Sequence, residues 1–183
     1  MREIRFHGKG GQGTVQACRL LAKVLILSGR HAQFIPAFGV ERKGSPVYGY
    51  FRISDDRPIR SNSQVYHPDL VVVMDDSLLH IVDVFEGAVN GAELLINTKK
   101  DAAELGIPAA IGRIGRVDAF GIAAEVIGRD IPNTTMLGAI AAFVPGVDAE
   151  RLFTLVGGKF GEKNVLAARR GFAELRVDER ATA

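Results

Sequence analysis

The sequence predicts one α/β domain of the three-layer, Rossmann-like class, built on a mixed and partly parallel sheet. Three observations lead to this prediction. Strand and helix patterns alternate along the chain, a glycine-rich turn separates the first strand from the first helix, and one continuous β-branched run is typical of a buried strand. A chain of 183 residues fits a single domain with a sizeable core. We therefore expect residues 1–183 to form one domain.

The N-terminal part predicts a strand, a turn, a helix and a second strand. Polar and apolar residues alternate over 3–7, which indicates a half-buried strand, and apolar residues recur with helical spacing over 13–27. A second short strand is predicted over 31–35, ended by Pro36. Two strands joined by a helix suggest a crossover unit.

The middle of the chain predicts strands that are not all parallel. An aromatic strand is expected over 47–53. Turn residues over 55–58 suggest a hairpin into 59–61. An antiparallel pair of this kind would make the sheet mixed.

A central strand is predicted over 70–74, because its run of apolar, β-branched residues suits burial on both faces of a sheet. Asp75, Asp76 and Ser77 follow it directly and are candidate caps of a helix that extends to about Val84. The two aspartates could also serve as acids at a switch point of the sheet. We favour the capping role.

The remaining elements complete the alternation and then become mostly helical after Pro132. They are weaker strands over 93–97 and 109–114, and helices over 118–127, 134–143 behind an N-capping Asn133, 148–156 and 162–175. The helix over 134–143 is rich in small residues, so we expect it to pack closely against a neighbour. Residues 178–183 are expected to be a frayed tail.

Composition excludes several functional classes. Lys and Arg number 23 against 21 Asp and Glu, so the formal charge of +2 gives no global field for nucleic acid or an anionic membrane. No apolar run reaches the roughly 18 residues that span a bilayer, so we expect a cytoplasmic protein without membrane contact. The single cysteine, Cys18, excludes a four-cysteine metal or iron–sulfur site and is expected in the core. A His80/Asp83 pair is interpreted as a solvated helix face.

The glycine-rich turn is the strongest candidate for a binding site. A strand that enters such a turn and then a helix directs backbone N–H groups and the positive end of the helix dipole at one small volume, which suits a phosphate or a carboxylate. The candidate binding residues are Gly8, Gly10, Gly11, Gln12 and Gly13. The alternative is that the glycines only let the chain turn and the helix approach the sheet.

Two common nucleotide sites match this turn incompletely. The pattern G-x-G-x-x-G suits a dinucleotide, but the second strand offers no acidic residue for the ribose, and the next acid is Glu41. A phosphate loop of the partitioning-ATPase type would have Lys9 before the glycines and a second lysine before Thr14, and that second lysine is missing. A free-standing NAD- or FAD-binding oxidoreductase stays open as the alternative function.

Several motifs occur in an order that points to one family. They are the glycine turn over 8–13, PAFGVERKGSPV over 36–47, FRIS over 51–54, and further segments at 70–75, 77–79, 133–139 and 163–164. Together they resemble the gamma subunit of the pyruvate (2-oxoacid):ferredoxin oxidoreductases over nearly the whole chain. The length fits that subunit standing alone.

The resemblance implies a subunit of an enzyme that cleaves a 2-oxoacid, with pyruvate or 2-ketoisovalerate favoured, to an acyl-CoA, carbon dioxide and reduced ferredoxin. It implies alpha, beta and delta-type partner subunits that hold thiamine diphosphate and 4Fe–4S clusters, and ferredoxin as a partner of the complex. This chain alone is expected to bind no cofactor and to carry no catalytic residue.

The loop over 38–45 is the second candidate for a binding element. Arg42 and Lys43 are cations that would suit phosphates or the carboxylate of a 2-oxoacid. The family resemblance implies that they and the glycine turn help to enclose coenzyme A over the thiamine site. The alternatives are a solvated loop, a loop that docks another subunit, and a structural subunit whose glycine turn stays empty.

Overall fold

The computed structural model describes residues 1–37 and 44–180. Its strands are β1 (Arg2–Lys9), β2 (His31–Ala37), β3 (Pro46–Ser54), β4 (Leu70–Val73), β5 (Ala92–Asn97), β6 (Ile111–Val117) and β7 (Arg176–Glu179). Its α-helices are α1 (Thr14–Leu27), α2 (Ala119–Ile127), α3 (Asn133–Phe143), α4 (Ala149–Phe160) and α5 (Glu162–Ala173). Two short 3₁₀ helices span Asp76–His80 and Ala102–Glu104.

The strands form one mixed sheet in the order β2-β3-β1-β4-β5-β6-β7. Neighbours β1, β4, β5 and β6 are parallel, whereas β3 pairs antiparallel with both β1 and β2, and β7 pairs antiparallel with β6. The predicted mixed, partly parallel α/β class is thereby confirmed. The predicted central strand is confirmed too, because β4 lies between β1 and β5 and its four residues are fully buried.

The two faces of the sheet are covered differently. The core cluster on one face contains residues of all the α-helices from α1 to α5, together with Ile4 and Phe6 of β1. The cluster on the other face contains Val71 and Val73 of β4 and is covered by the segment around the first 3₁₀ helix. The third layer of the domain is therefore built mainly from 3₁₀ helices and irregular segments.

Small residues let α3 and α5 pack with their backbones in contact, as the sequence of α3 predicted. A Cβ atom on Gly138 would lie 1.8 Å from the carbonyl oxygen of Ala168. A Cβ atom on Gly171 would lie 2.1 Å from the carbonyl oxygen of Thr135. Neither position accepts a side chain without separating the helices.

Three local predictions were wrong. Strand β2 continues through Pro36 to Ala37, because an edge strand tolerates a residue without an N–H donor. No strand forms over 59–61, so the predicted hairpin is absent. The helix predicted to reach Val84 is a 3₁₀ helix that ends at His80.

The predicted frayed tail was wrong for Asp178 and Glu179, which belong to β7. Strand β7 pairs with β6, and Arg116 of β6 donates a hydrogen bond from Nε to Oδ2 of Asp178 over 2.8 Å. This ion pair and the strand ladder order the segment despite its exposure. Residues 181–183 lie outside the described residues.

Candidate functional site

The glycine turn lies at the carboxyl edge of the parallel part of the sheet. Strands β1 and β4 are parallel neighbours. After β1 the chain continues to β2 on one side of this pair, and after β4 it continues to β5 on the opposite side. Such a reversal of strand order opens a crevice at which α/β proteins bind ligands. The turn after β1 and Asp75 after β4 face this crevice from neighbouring strands.

Glycine is required in the turn for conformation and for space. Gly11 and Gly13 have φ angles of +94° and +75°, a region that L side chains rarely adopt. A Cβ atom on Gly13 would lie 2.5 Å from Nδ2 of Asn133, and one on Gly8 would lie 2.1 Å from Oγ1 of Thr14. These glycines let the starts of α1 and α3 approach the end of β1.

Polar side chains brace the turn from inside. The backbone N–H of Lys9 donates to Oε1 of Gln12 over 2.8 Å, and Nε2 of Gln12 donates to Oδ2 of Asp75 over 2.7 Å. The ammonium of Lys9 lies 3.1 Å from the same Asp75 oxygen and also contacts the hydroxyl of Ser77. Gln12 is buried, so its amide serves the architecture of the turn.

The environment of Asp75 keeps its carboxylate ionised. Burial alone would raise the pKa of Asp75, but hydrogen bonds from Ser77, Lys9 and Gln12 outweigh burial and hold that pKa below its ordinary value. The backbone N–H of Ser77 donates to Oδ1 of Asp75 over 3.0 Å, which confirms the predicted capping role. The additional bonds to Lys9 and Gln12 link the cap to the glycine turn.

The first turn of α1 is suited to an anion. Helix α1 has no capping side chain and no acidic residue in its first turn, so its N-terminal N–H groups keep their positive potential. Oγ1 of Thr14 is buried and has no hydrogen-bond partner. Lys159 of α4 donates from Nζ to Oε1 of Gln16 over 2.7 Å, which places a second cation near this helix start.

The end of the 38–45 loop is tied to the glycine turn. Gly10 donates its backbone N–H to the carbonyl oxygen of Ser45 over 2.9 Å, and Gly44 donates to the carbonyl oxygen of Gly10 over 3.2 Å. Arg42 and Lys43 lie outside the described residues, so their role as ligand contacts stays a prediction. The two backbone hydrogen bonds hold Gly44 and Ser45, which directly follow Lys43, against the glycine turn.

Sequence reasoning missed the two contacts that organise this site. It did not connect Asp75 to Lys9 and Gln12, because it could not show that β4 is the neighbour of β1. It expected Asn133 to cap α3, whereas Pro132 occupies the cap position and Asn133 lies against Gly13. Among the residues that the structure describes, no group of three or more His, Cys, Asp or Glu residues is placed to hold a metal ion. No helix in the same part of the chain is long and apolar enough to cross a membrane.

Comparison with known proteins decides the family. A profile of the pyruvate ferredoxin/flavodoxin oxidoreductase family matches residues 3–174. The chain belongs to this family. It is 44% identical over 179 residues to pyruvate synthase subunit PorC of Methanothermobacter thermautotrophicus, covering 96% of each chain. It is also 44% identical over 185 residues to the common gamma subunit of the pyruvate/ketoisovalerate oxidoreductases of Thermococcus kodakarensis, covering 98% of this chain and all of that one.

Structural similarity agrees with the sequence comparison. The crystal structure of pyruvate oxidoreductase subunit PORC from Thermotoga maritima has a TM-score of 0.84 and 35% identity, over 97% of this chain and 98% of that chain. The resemblance noted in the sequence is confirmed, and the chain is a gamma-type subunit of the 2-oxoacid:ferredoxin oxidoreductases. It is a component of an oxidoreductase, and the comparisons do not support a free-standing NAD or FAD enzyme.

Proposed function

We propose that this gamma subunit helps to enclose coenzyme A over the active-site region of a pyruvate or 2-ketoisovalerate:ferredoxin oxidoreductase and helps to assemble that complex. The observation that carries the proposal is the pair of backbone hydrogen bonds between Gly10 and the segment at Gly44 and Ser45. Through them the glycine turn and the start of α1 lie beside Gly44 and Ser45, the two residues that directly follow Arg42 and Lys43 in the sequence.

The chemistry of this edge fits the phosphates of coenzyme A. Backbone N–H groups at a helix start bind phosphate oxygens, and the helix dipole adds roughly 0.3–1 kcal/mol. Thr14 supplies a buried hydroxyl without a partner, and Lys9 supplies an ammonium held by Asp75. An approaching phosphate would compete with Asp75 for Lys9. While no phosphate is bound, Asp75 would hold the ammonium group of Lys9 in position.

The redox chemistry is assigned to other subunits. A 4Fe–4S cluster requires four thiolate ligands, whereas this chain has one cysteine, Cys18, which is fully buried in α1. Burial raises the pKa of the Cys18 thiol, which makes it inert. We propose that thiamine diphosphate and the clusters belong to alpha, beta and delta-type subunits, which pass electrons to ferredoxin in the cytoplasm.

The choice of 2-oxoacid is also assigned to the partners. One relative is named for pyruvate alone and another for both pyruvate and ketoisovalerate, yet each is 44% identical to this chain. A gamma subunit shared by two enzymes does not itself select the substrate. The loop sequence over 38–44 favours the pyruvate and ketoisovalerate branch.

The test uses the complex assembled from all its subunits, with Lys43→Ala in this chain. We expect the KM for coenzyme A to rise about tenfold, equivalent to about 1.4 kcal/mol of lost binding, because a phosphate would lose a cation. The KM for the 2-oxoacid should stay unchanged. Steady-state kinetics with each substrate varied in turn measures both constants.

The matched control is Lys23→Ala, which removes an exposed lysine from the middle of α1. It should leave both constants unchanged. If Lys43→Ala also leaves the coenzyme A constant unchanged in a fully assembled complex, this chain does not enclose coenzyme A through that loop. Only an assembly role would then remain.

A further inference from the structure

A second polar recess lies on the face of β1 that is turned away from the α-helices. It is a cavity of about 500 Å³ lined by Arg5, His7, Tyr48, Tyr50, Tyr66, Asp83 and Glu86, among others, and is called the tyrosine pocket below. The sequence contains three tyrosines and no tryptophan. All three tyrosines therefore line this one cavity, which the glycine-turn site does not use.

Strand register places two of the tyrosines beside the charged residues of β1. His7 pairs with Tyr48 and Arg5 pairs with Tyr50, so these four side chains share one face of the sheet. The rings of His7 and Tyr48 meet edge to face, with centroids 5.2 Å apart. Tyr66 comes from the connection before β4 and is 63% exposed.

Arg5 holds the walls of the pocket together. Its guanidinium donates to the carbonyl oxygens of Val84 over 3.0 Å and of Glu86, and more weakly to that of Val65 over 3.5 Å. Arg5 is buried, and these bonds join β1 to the segments on both sides of β4. Its donors are therefore committed to the protein and are not available to a ligand.

His7 contributes a buried donor that the protein does not satisfy. Its Nε2 accepts a hydrogen bond from Nε of Arg5 over 3.1 Å, so the proton of the neutral ring lies on Nδ1. His7 is only 2% exposed, and its Nδ1 has no hydrogen-bond partner. A buried donor without a partner is unfavourable.

The charges around the pocket favour a cation. Arg5 is the one Lys or Arg of the lining, whereas Asp83 and Glu86 are two exposed carboxylates, so the formal charge is −1 with both lining histidines, His7 and His67, counted as neutral. The whole chain is positive, with a formal charge of +2. An aromatic recess with acidic side chains attracts an ammonium or guanidinium group by cation–π and ionic contacts together.

We propose that the tyrosine pocket docks a lysine or arginine side chain that another subunit of the complex presents. Tyrosines are enriched among the residues that dominate binding at protein interfaces. An exposed tyrosine beside two carboxylates, on a subunit of a larger enzyme, fits such an anchor. The proposal does not depend on the role of the glycine turn.

The first test titrates the isolated full-length chain with Nα-acetyl-lysine methylamide and follows tyrosine fluorescence. Because all three tyrosines line the pocket and the chain has no tryptophan, the signal reports this cavity directly. We expect a saturable change with the lysine probe and none with the uncharged Nα-acetyl-norleucine methylamide. Glu86→Gln should weaken the binding at least fivefold. Equal responses to the two probes, or no saturable response, would overturn the proposal.

The second test measures assembly of the co-expressed complex with Glu86→Gln or Tyr66→Leu in this chain. We expect each variant to raise about tenfold the concentration at which this subunit dissociates from the diluted complex. The circular dichroism of the isolated chain should stay unchanged. The control is Glu162→Gln, an exposed acid at the start of α5 on the opposite face. Normal retention of both pocket variants in a folded state would refute docking at this pocket.

Discussion

Strand β1 contributes to two polar regions that differ in how they are built. At its carboxyl end the glycine turn presents backbone N–H groups, and its ionic side chains are bonded to one another, as Lys9 is to Asp75. On the face of β1 that is turned away from the α-helices, the tyrosine pocket presents aromatic rings and carboxylates, and His7 has a donor without a partner. The first region depends on the path of the main chain, whereas the second depends on the identity of side chains.

This difference predicts which substitutions each region tolerates. The turn is sensitive to any Cβ atom at Gly8 or Gly13, because the adjacent helix starts fill the space. We expect the fold to tolerate changes at Tyr66, because that side chain is exposed. We expect the stability of the chain to depend on pH through His7, because its ring is buried.

The largest effect is expected for Gly13→Ala. The new Cβ atom would meet the Asn133 amide at 2.5 Å and would also hold alanine at a φ of +75°. We expect the free energy of unfolding to fall by about 3 kcal/mol, as backbone strain and overpacking each cost roughly 1–3 kcal/mol. Urea denaturation at neutral pH measures the loss.

The matched control is Gly29→Ala. Gly29 has a similar φ of +82°, but a Cβ atom there would have nothing within 4 Å. It should cost only about 1 kcal/mol, from backbone strain alone. Equal losses at the two positions would show that contact with Asn133 does not matter, and the double variant Gly13→Ala with Asn133→Ala should recover part of the difference.

A smaller effect is expected from the pH response of His7. Burial, and then the nearby charge of Arg5, lower the pKa of His7 to about 3. The unfolded ring titrates near 6.5 and so binds protons first, which means that stability is full above about pH 6.5 and falls as the pH drops toward 3. Between pH 7 and pH 5 the loss should be about 2 kcal/mol, at 1.36 kcal/mol per unit.

Replacement of His7 by glutamine should remove this pH dependence, since the amide oxygen can still accept from Nε of Arg5 but does not titrate. Denaturant midpoints at pH 5 and pH 7 give the comparison. His80→Gln is the control, because His80 is exposed and should leave the slope in place. A slope that survives in His7→Gln would assign the pH response to another group.

Much of the fold could be predicted from sequence, since its signals are local. The β-branched run of β4, the glycine turn and the small residues of α3 each determine their own conformation and burial. Strand neighbours are not local, so the pairing of β7 with β6 and the contact of Asp75 with Gln12 were missed. The tyrosine pocket was missed for the same reason, because Tyr66 joins Tyr48 and Tyr50 only through the order of the strands.

The smallest effect is expected for Asp75→Asn, which tests the link between the cap and the glycine turn. Asparagine keeps one oxygen for the Ser77 N–H, but its NH2 group replaces the oxygen that accepts from Gln12 and contacts Lys9, so the change removes those two contacts and keeps the cap. We expect a loss of about 1 kcal/mol at pH 7, within the range for a partly buried, charge-assisted contact. Urea denaturation against pH measures it.

The stability difference between wild type and Asp75→Asn should depend on pH. The folded pKa of Asp75 lies below the unfolded value of about 3.9, so its contribution is complete above that pH and is lost as the pH falls through the folded pKa. Wild type and Asp75→Asn should therefore converge in stability below about pH 4, whereas Asp130→Asn, an exposed control after α2, should match wild type throughout. A gap that persists unchanged in acid would mean that the ionised form of Asp75 is not what stabilises the turn.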